Sequence, residues 1–284
     1  MLGASSLVGE CVIRRLSRNG RHIVAFSRQP SAGTPETGVT WLQLTLSLPL
    51  FSEFSHVKDW LCVAPIWVLP QYFEMIEAFG ARRVVALSST SLFIKEDSSD
   101  YGERHVAHRL AEGESALRAW AEARGIVWVI LRPTLIYGLG RDKNLAEIIR
   151  FVRRWRFFPI LGQADGLRQP VHAEDVAAAC VSALTRPAAA NRAYNLSGGE
   201  TLSYREMVGR IFGAIGKSPR LVTIPRWLFR LAVTTVNLMP RYRHWTMEMA
   251  ERMNRDLVFD HAEAARDLGY SPGLFQLLPH DMPE

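Results

Sequence analysis

Gly3-Ala4-Ser5-Ser6-Leu7-Val8-Gly9 decides how this chain is read. Glycines bracket a run of small residues, and a helical stretch, Cys11 to Leu16, follows until Asn19-Gly20 ends it. A turn that opens a helix leaves backbone N–H groups unpaired, and a phosphate anion suits the place they face. Gly3 supplies the tight turn and Gly9 lets the helix sit close to the sheet. Ser5, Ser6, Leu7 and Val8 supply the backbone between them. Ser6 stands where a further glycine is usual, and its side chain is small enough to serve. Taken alone, the stretch also fits an ordinary turn before a helix.

The surroundings choose between the two. Apolar strands are expected at His22 to Phe26, Trp41 to Leu46, Trp60 to Ala64, Arg83 to Leu87 and Ile126 to Leu131. Helices are expected from Pro70 to Phe79 and from His105 to Arg124, with Gly125 as a stop. Residues 29 to 39 hold Pro, Gly, Ser and Thr and read as a loop. The strands are continuous apolar runs without alternation, as in a parallel sheet covered on both faces. Strand and helix in turn predict a doubly wound, Rossmann-like α/β fold. Residues 1–140 form the expected dinucleotide-binding domain. Residues 141–284 form mainly a smaller, mostly helical lobe, with Ala193 to Leu196 returning to the sheet. Only Met1 and Leu2 precede Gly3, so the first strand is very short or the chain as written starts late.

Composition narrows the function. Of 284 residues, 48% are hydrophobic and 22% charged, which fits a globular chain able to bury a core. Cys11, Cys62 and Cys180 lack CxxC spacing, and the eight histidines form no metal-ligand pattern. Free thiols, with no signal peptide, point to the cytoplasm. Arg226 and Arg230 interrupt the longest apolar candidate, Ile224 to Pro240, so no bilayer span is expected. The net charge of +6 fits nucleic acid, a membrane surface or an anionic small ligand. No nucleic-acid-binding motif accompanies it, which excludes that partner. At the end of the second strand, Phe26-Ser27-Arg28 offers a guanidinium and no carboxylate, which favours NADP over NAD.

Several motifs together resemble the extended short-chain dehydrogenase/reductases, the NAD-dependent epimerase/dehydratase family. They are the glycine turn, Leu87-Ser88-Ser89-Thr90-Ser91, Leu131-Arg132-Pro133 with Ile136-Tyr137-Gly138, and Arg168-Gln169-Pro170-Val171-His172 leading to Glu174-Asp175-Val176-Ala177. Tyr194-Asn195-Leu196-Ser197-Gly198-Gly199 and Asp267-Leu268-Gly269-Tyr270-Ser271-Pro272 follow in the same order. The resemblance implies a small-molecule substrate, a nucleotide sugar, and an epimerase, dehydratase or reductase. It implies cofactor contacts at Ala64, Pro65, Ser88 and Pro133, and substrate contacts at Ser91 and Arg168. An oligomer is compatible with it.

The same resemblance implies a Tyr four residues before a Lys, with a Ser or Thr nearby, for proton transfer beside a hydride step. Ser89 fits the Ser/Thr position. A gapless count back from Leu131-Arg132-Pro133 puts Val106 and Leu110 at the pair, so the pair is degraded. A local reading instead takes Tyr101 with His105 in place of Lys, at the cost of about five extra residues in the helix. Thr45 stands where the family usually has an Asp. Asp175 reads as a helix cap or a contact that fixes the lobe. Arg168 reads either as a diphosphate ligand or as a surface ion pair. Arg150 to Phe158 combines four arginines with four aromatics, and Pro225 to Pro240 and Arg241 to Trp245 add more aromatics. A small lobe that buries its aromatics accounts for them, with peripheral membrane contact as the other reading. Two functions follow: an NAD(P)-dependent enzyme, or a structural or sensor protein that keeps the dinucleotide without turnover. The accessory subunit of respiratory complex I offers an analogy for the second.

Overall fold

The computed structural model describes residues 1–28, 38–44, 57–96, 98–142, 144–229 and 247–283. Its strands are β1 (Ile23–Ser27), β2 (Val39–Gln43), β3 (Asp59–Cys62), β4 (Arg83–Leu87), β5 (Val127–Pro133), β6 (Ile136–Tyr137), β7 (Phe158–Leu161), β8 (Leu167–Arg168), β9 (Val171–His172), β10 (Arg192–Leu196), β11 (Leu202–Ser203) and β12 (Leu221–Ile224). Its helices are α1 (Leu7–Arg18), α2 (Phe73–Ala78), α3 (Ser91–Lys95), α4 (Tyr101–Ala123), α5 (Leu145–Trp155), α6 (Ala173–Thr185), α7 (Tyr204–Ala214), α8 (Met247–Glu251) and α9 (Ala262–Leu268). A 3-10 turn, Ile66–Tyr72, precedes α2 where the sequence suggested a single helix.

The main sheet is parallel. β2 pairs with β1, β3 with β4, β4 with β5 and β5 with β10. Among the described residues, Met1 and Leu2 take the place between β1 and β3. Leu2 bridges both Phe26 and Cys62. The N–H of Leu2 donates to Leu61 O at 2.8 Å, that of Val63 to Leu2 O at 3.0 Å and that of Phe26 to Met1 O at 2.9 Å. Two residues thus pair both neighbours at the end of the sheet where the glycine turn begins.

Helices cover both faces. On one, α1 and α6 pack Val8, Cys11, Val12, Val176, Ala177 and Cys180 against Val85, Val129 and Leu131. On the other, Ile66, Leu69, Ile76, Leu110 and Leu117 meet Trp60, Val84 and Ile130. A third core, with Leu145, Ile149, Phe158, Met207, Ile211 and Phe212, forms the second lobe around α5, α7 and β7. After residue 140 the chain also returns to the sheet layers: β10 pairs with β5, and α6 and α9 cover one face. Helix starts fall a turn before the apolar patterns because polar caps set them. The Ser6 hydroxyl accepts from the Gly9 N–H and the Asp100 carboxylate from the Glu103 N–H.

Candidate functional site

The glycine turn sits at the carboxyl end of the sheet, between the short central strand and α1. Gly3 has φ +76°, and a Cβ there would lie 2.4 Å from Ala64 N. A Cβ on Gly9 would lie 2.4 Å from Ala4 O. Both glycines are therefore fixed by close backbone approach, Gly3 against the end of β3 and Gly9 against the turn itself. Ser6 N–H bonds Gly3 O at 3.0 Å, and the Ser6 hydroxyl takes the Gly9 N–H at 3.1 Å. No hydrogen bond takes the N–H of Leu7 or Val8 among the described residues. The buried Ser88 hydroxyl has no partner either. A cradle that side chains would fill, free N–H groups at a helix start and an orphaned hydroxyl at the end of β4 fit a dinucleotide. Arg141 crosses to this turn from the loop after β6, pairing with Glu10 at 2.6 Å and donating to Ser5 O at 3.1 Å. Ser27 ends β1 buried, and Arg28 beyond it is exposed. Thr45 lies outside the described residues.

A cavity of about 810 Å³ opens between the sheet and the second lobe. Ser89, Ser91 and Lys95 line it from the β4–α3 side, Leu135, Ile136, Leu145 and Ile148 from the middle, and Phe158, Arg168, Tyr204 and Met207 from the second lobe. Arg252, Met253, Leu257 and Phe259 close it. The Ser89 hydroxyl accepts from the Ser91 N–H at 3.1 Å, which leaves its own proton to donate. Arg168 is buried, and its guanidinium donates to Leu167 O and Arg255 O, each at 2.7 Å, and to Arg252 O. It therefore belongs to no surface ion pair. Burial pushes its pKa down to about 10. Burial also raises the Tyr204 hydroxyl to about 12, and the Arg168 guanidinium lies 5.4 Å over its ring.

The structure brings Ser89, Ser91 and Arg168 to one cavity. It does not bring Tyr101 or His105 there. Tyr101 is 77% exposed at the start of α4 and stacks on His105, with ring centroids 6.2 Å apart. Val106 packs against the sheet core, and Leu110 is buried within it. Neither offers a proton. Lys95 and Arg252 are cavity residues that the sequence motifs do not single out, because nothing but the folded chain joins them to Ser89.

Two other groupings are structural. His172 Nε2 lies 3.1 Å from Asp281 Oδ1, with His280 beside them. The Glu174 N–H donates to His172 Nδ1 at 3.2 Å, so Nε2 carries the ring proton and points it at Asp281. That tautomer offers Asp281 a donor rather than offering a metal a lone pair. Burial acts to lower the His172 pKa, but Asp281 outweighs it and raises it. Asp175 accepts from Gly273 N–H at 3.0 Å and so ties the C-terminal segment to α6. In Arg150 to Phe158, Phe158 is buried and Trp155 exposed; in the Pro225 to Pro240 stretch Trp227 is exposed, and residues 230–246 lie outside the described residues. No described helix is long and apolar enough to cross a membrane.

Residues 71–197 match the model of the NAD dependent epimerase/dehydratase family. That is the family the sequence motifs resemble. The uncharacterised protein y4nG of Sinorhizobium fredii is 26% identical over 95% of this chain and 73% of its own length. UDP-glucose 4-epimerase of Vibrio cholerae is 26% identical over 57% of this chain and 47% of its length. Subunit 9 of the NADH dehydrogenase 1 alpha subcomplex from Arabidopsis thaliana is 31% identical over 51% and 34%. The matches thus span less than half the length of the last two. The crystal structure of UDP-glucuronic acid 4-epimerase from Bacillus cereus, in complex with NAD, superposes with a TM-score of 0.72 at 15% identity, covering 99% of this chain and 94% of that one. This likeness shows the fold.

Proposed function

We propose that this chain binds a nicotinamide dinucleotide and holds a nucleotide sugar in the cavity beside it. The observation that carries the reading is the turn at Gly3 and Gly9, where a Cβ would lie 2.4 Å from backbone atoms, with the free N–H groups of Leu7 and Val8 in front of α1. Leu7 and Val8 N–H would take the pyrophosphate, and Ala64, Pro65, Ser88 and Pro133 would wall the nicotinamide half. Arg28 would take a 2′-phosphate, which makes NADP the favoured form. The dinucleotide supplies hydride transfer when bound. Ser89 donates its hydroxyl proton to a substrate oxygen, Ser91 lies one strand-to-helix turn beyond it, and Arg168 meets a diphosphate. A bound sugar nucleotide would give the buried Arg168 cation an anion inside the cavity, in addition to the Asp256 charge that already favours its charged form.

The proton-exchanging pair is replaced by hydrocarbon. General acid–base help is worth about a hundred- to ten-thousand-fold. Turnover on UDP- and dTDP-sugars is therefore expected to be weak or absent despite real dinucleotide binding. The specific placement of Val106 and Leu110 against the core also supports the second reading, a dinucleotide-binding structural or sensor protein. Product formation by wild type, Ser89→Ala and Tyr101→Phe under saturating NADPH and NADP separates them. Turnover lost in Ser89→Ala supports an enzyme built on this cavity. Turnover lost in Tyr101→Phe overturns the placement of Tyr101 outside the site. No turnover with retained dinucleotide supports the non-catalytic reading.

A further inference from the structure

One cation in the cavity makes no side-chain hydrogen bond or ion pair among the described residues. Lys95 closes α3, four residues beyond Ser91, and residues at that spacing share a helix side. Both line the cavity that holds Ser89. The acids that face Lys95 are already engaged. Glu103 accepts from the Ser98 hydroxyl at 2.8 Å and from Arg252. Asp100 accepts from the Glu103 N–H at 2.9 Å as the cap of α4. Glu147 is the carboxylate among the lining residues, and it comes from α5. Arg252 adds a second positive charge on the same wall, and burial lowers the Lys95 pKa, with Glu103 opposing it.

Holding an ammonium group half-buried, with the facing carboxylates Glu103 and Asp100 already bonded to other donors, opposes the charged form. An anion arriving with the ligand reverses that. Arg168 lies on β8 and lines the same cavity, donating to the Arg252 carbonyl. We propose that Lys95 takes a carboxylate carried on the substrate near the carbon that faces Ser89, so that the site prefers an acidic nucleotide sugar to a neutral one. This rests on the nucleotide-sugar reading above, and Lys95 acts as a specificity-determining residue rather than as a proton carrier.

Calorimetric titration of UDP-glucuronate and UDP-glucose into the dinucleotide-loaded protein tests it, with wild type beside Lys95→Met. Methionine keeps the length of the stem and removes the charge. A charge-assisted contact predicts about tenfold tighter binding of UDP-glucuronate to wild type. Lys95→Met should erase that preference, weakening UDP-glucuronate about tenfold relative to UDP-glucose. Equal affinities in wild type, or a preference that survives in Lys95→Met, overturn the proposal. Binding of neither sugar nucleotide overturns the nucleotide-sugar reading instead. The Lys95 site is then judged by reductive 13C-dimethylation and NMR, with the Lys95 signal assigned by its loss in Lys95→Met. A Lys95 pKa raised by millimolar glucuronate but not by glucose supports the carboxylate site, and a pKa that moves with neither overturns it.

Discussion

A methyl group on Gly9 would sit 2.4 Å from Ala4 O and 2.5 Å from Gly3 O, and neither carbonyl is the end of a flexible side chain. Gly9→Val should therefore displace α1 from the turn and cost about 1–3 kcal/mol, the usual range for overpacking. Thermal or urea unfolding of the variant against wild type reads this; an unchanged midpoint would mean that the turn can open without loss. Arg28 gives the second prediction at this scale. If it meets a 2′-phosphate, wild type binds NADPH about tenfold or more tightly than NADH, and Arg28→Ala removes most of the difference. Equal affinity of wild type for both forms contradicts the assignment. The glycines were legible in the sequence because their role is local: a turn and a close approach. Lys95 was not legible, because its meaning lies in Glu103 and Arg252, which come from other elements and meet it only in the fold.

Elements began where their caps, rather than their apolar patterns, put them. Asp100 starts α4 at Tyr101, and this places Tyr101 at the exposed first turn while Leu110 turns into the core. A count along the sequence could assign Val106 and Leu110 to the usual pair, but only the helix phase shows that both face hydrocarbon. The C-terminal segment is held by Asp281, which accepts from His172 and from the N–H groups of Leu139 and Leu278. Burial acts to raise its pKa, but these donors win and hold it at about 2 against a usual 3.8. A folded pKa below the unfolded one adds stability above the unfolded value that is lost as pH falls through the folded one. Wild type should thus lose about 2 kcal/mol between roughly pH 4 and pH 2 from this group. Asp281→Asn should lower the melting temperature at pH 6 and lack that acid-range component. Urea unfolding at pH 6, 4 and 3 measures it, and parallel pH dependence in the two proteins would show that Asp281 carries none of it.

At the scale of the molecule, the order β2–β1–(Met1-Leu2)–β3–β4–β5–β10 puts the glycine turn and the β4 serines at one end of the sheet. The alternation of strand and helix told this much, since strands buried on both faces read as plain apolar runs. Arg83–Leu87 stands at the bounds its sequence suggests, because both of its neighbours are present and both faces are covered. The central place was harder to read. No periodicity exists in two residues, and Met1 and Leu2 are recognisable as sheet only through their bonds to Leu61, Val63 and Phe26. The cavity, too, was beyond the sequence: α3, β8 and the stretch around Arg252 meet only when the second lobe closes on the sheet.

The central claim, a dinucleotide seated on the Gly3–Gly9 turn, is tested most directly by calorimetric titration of NADPH into wild type and into Gly9→Ala, with circular dichroism confirming that both are folded. One NADPH per chain in wild type, with at least about tenfold weaker binding in the variant, is the predicted result. Saturable binding of equal strength in both proteins, or none in folded wild type, would contradict it.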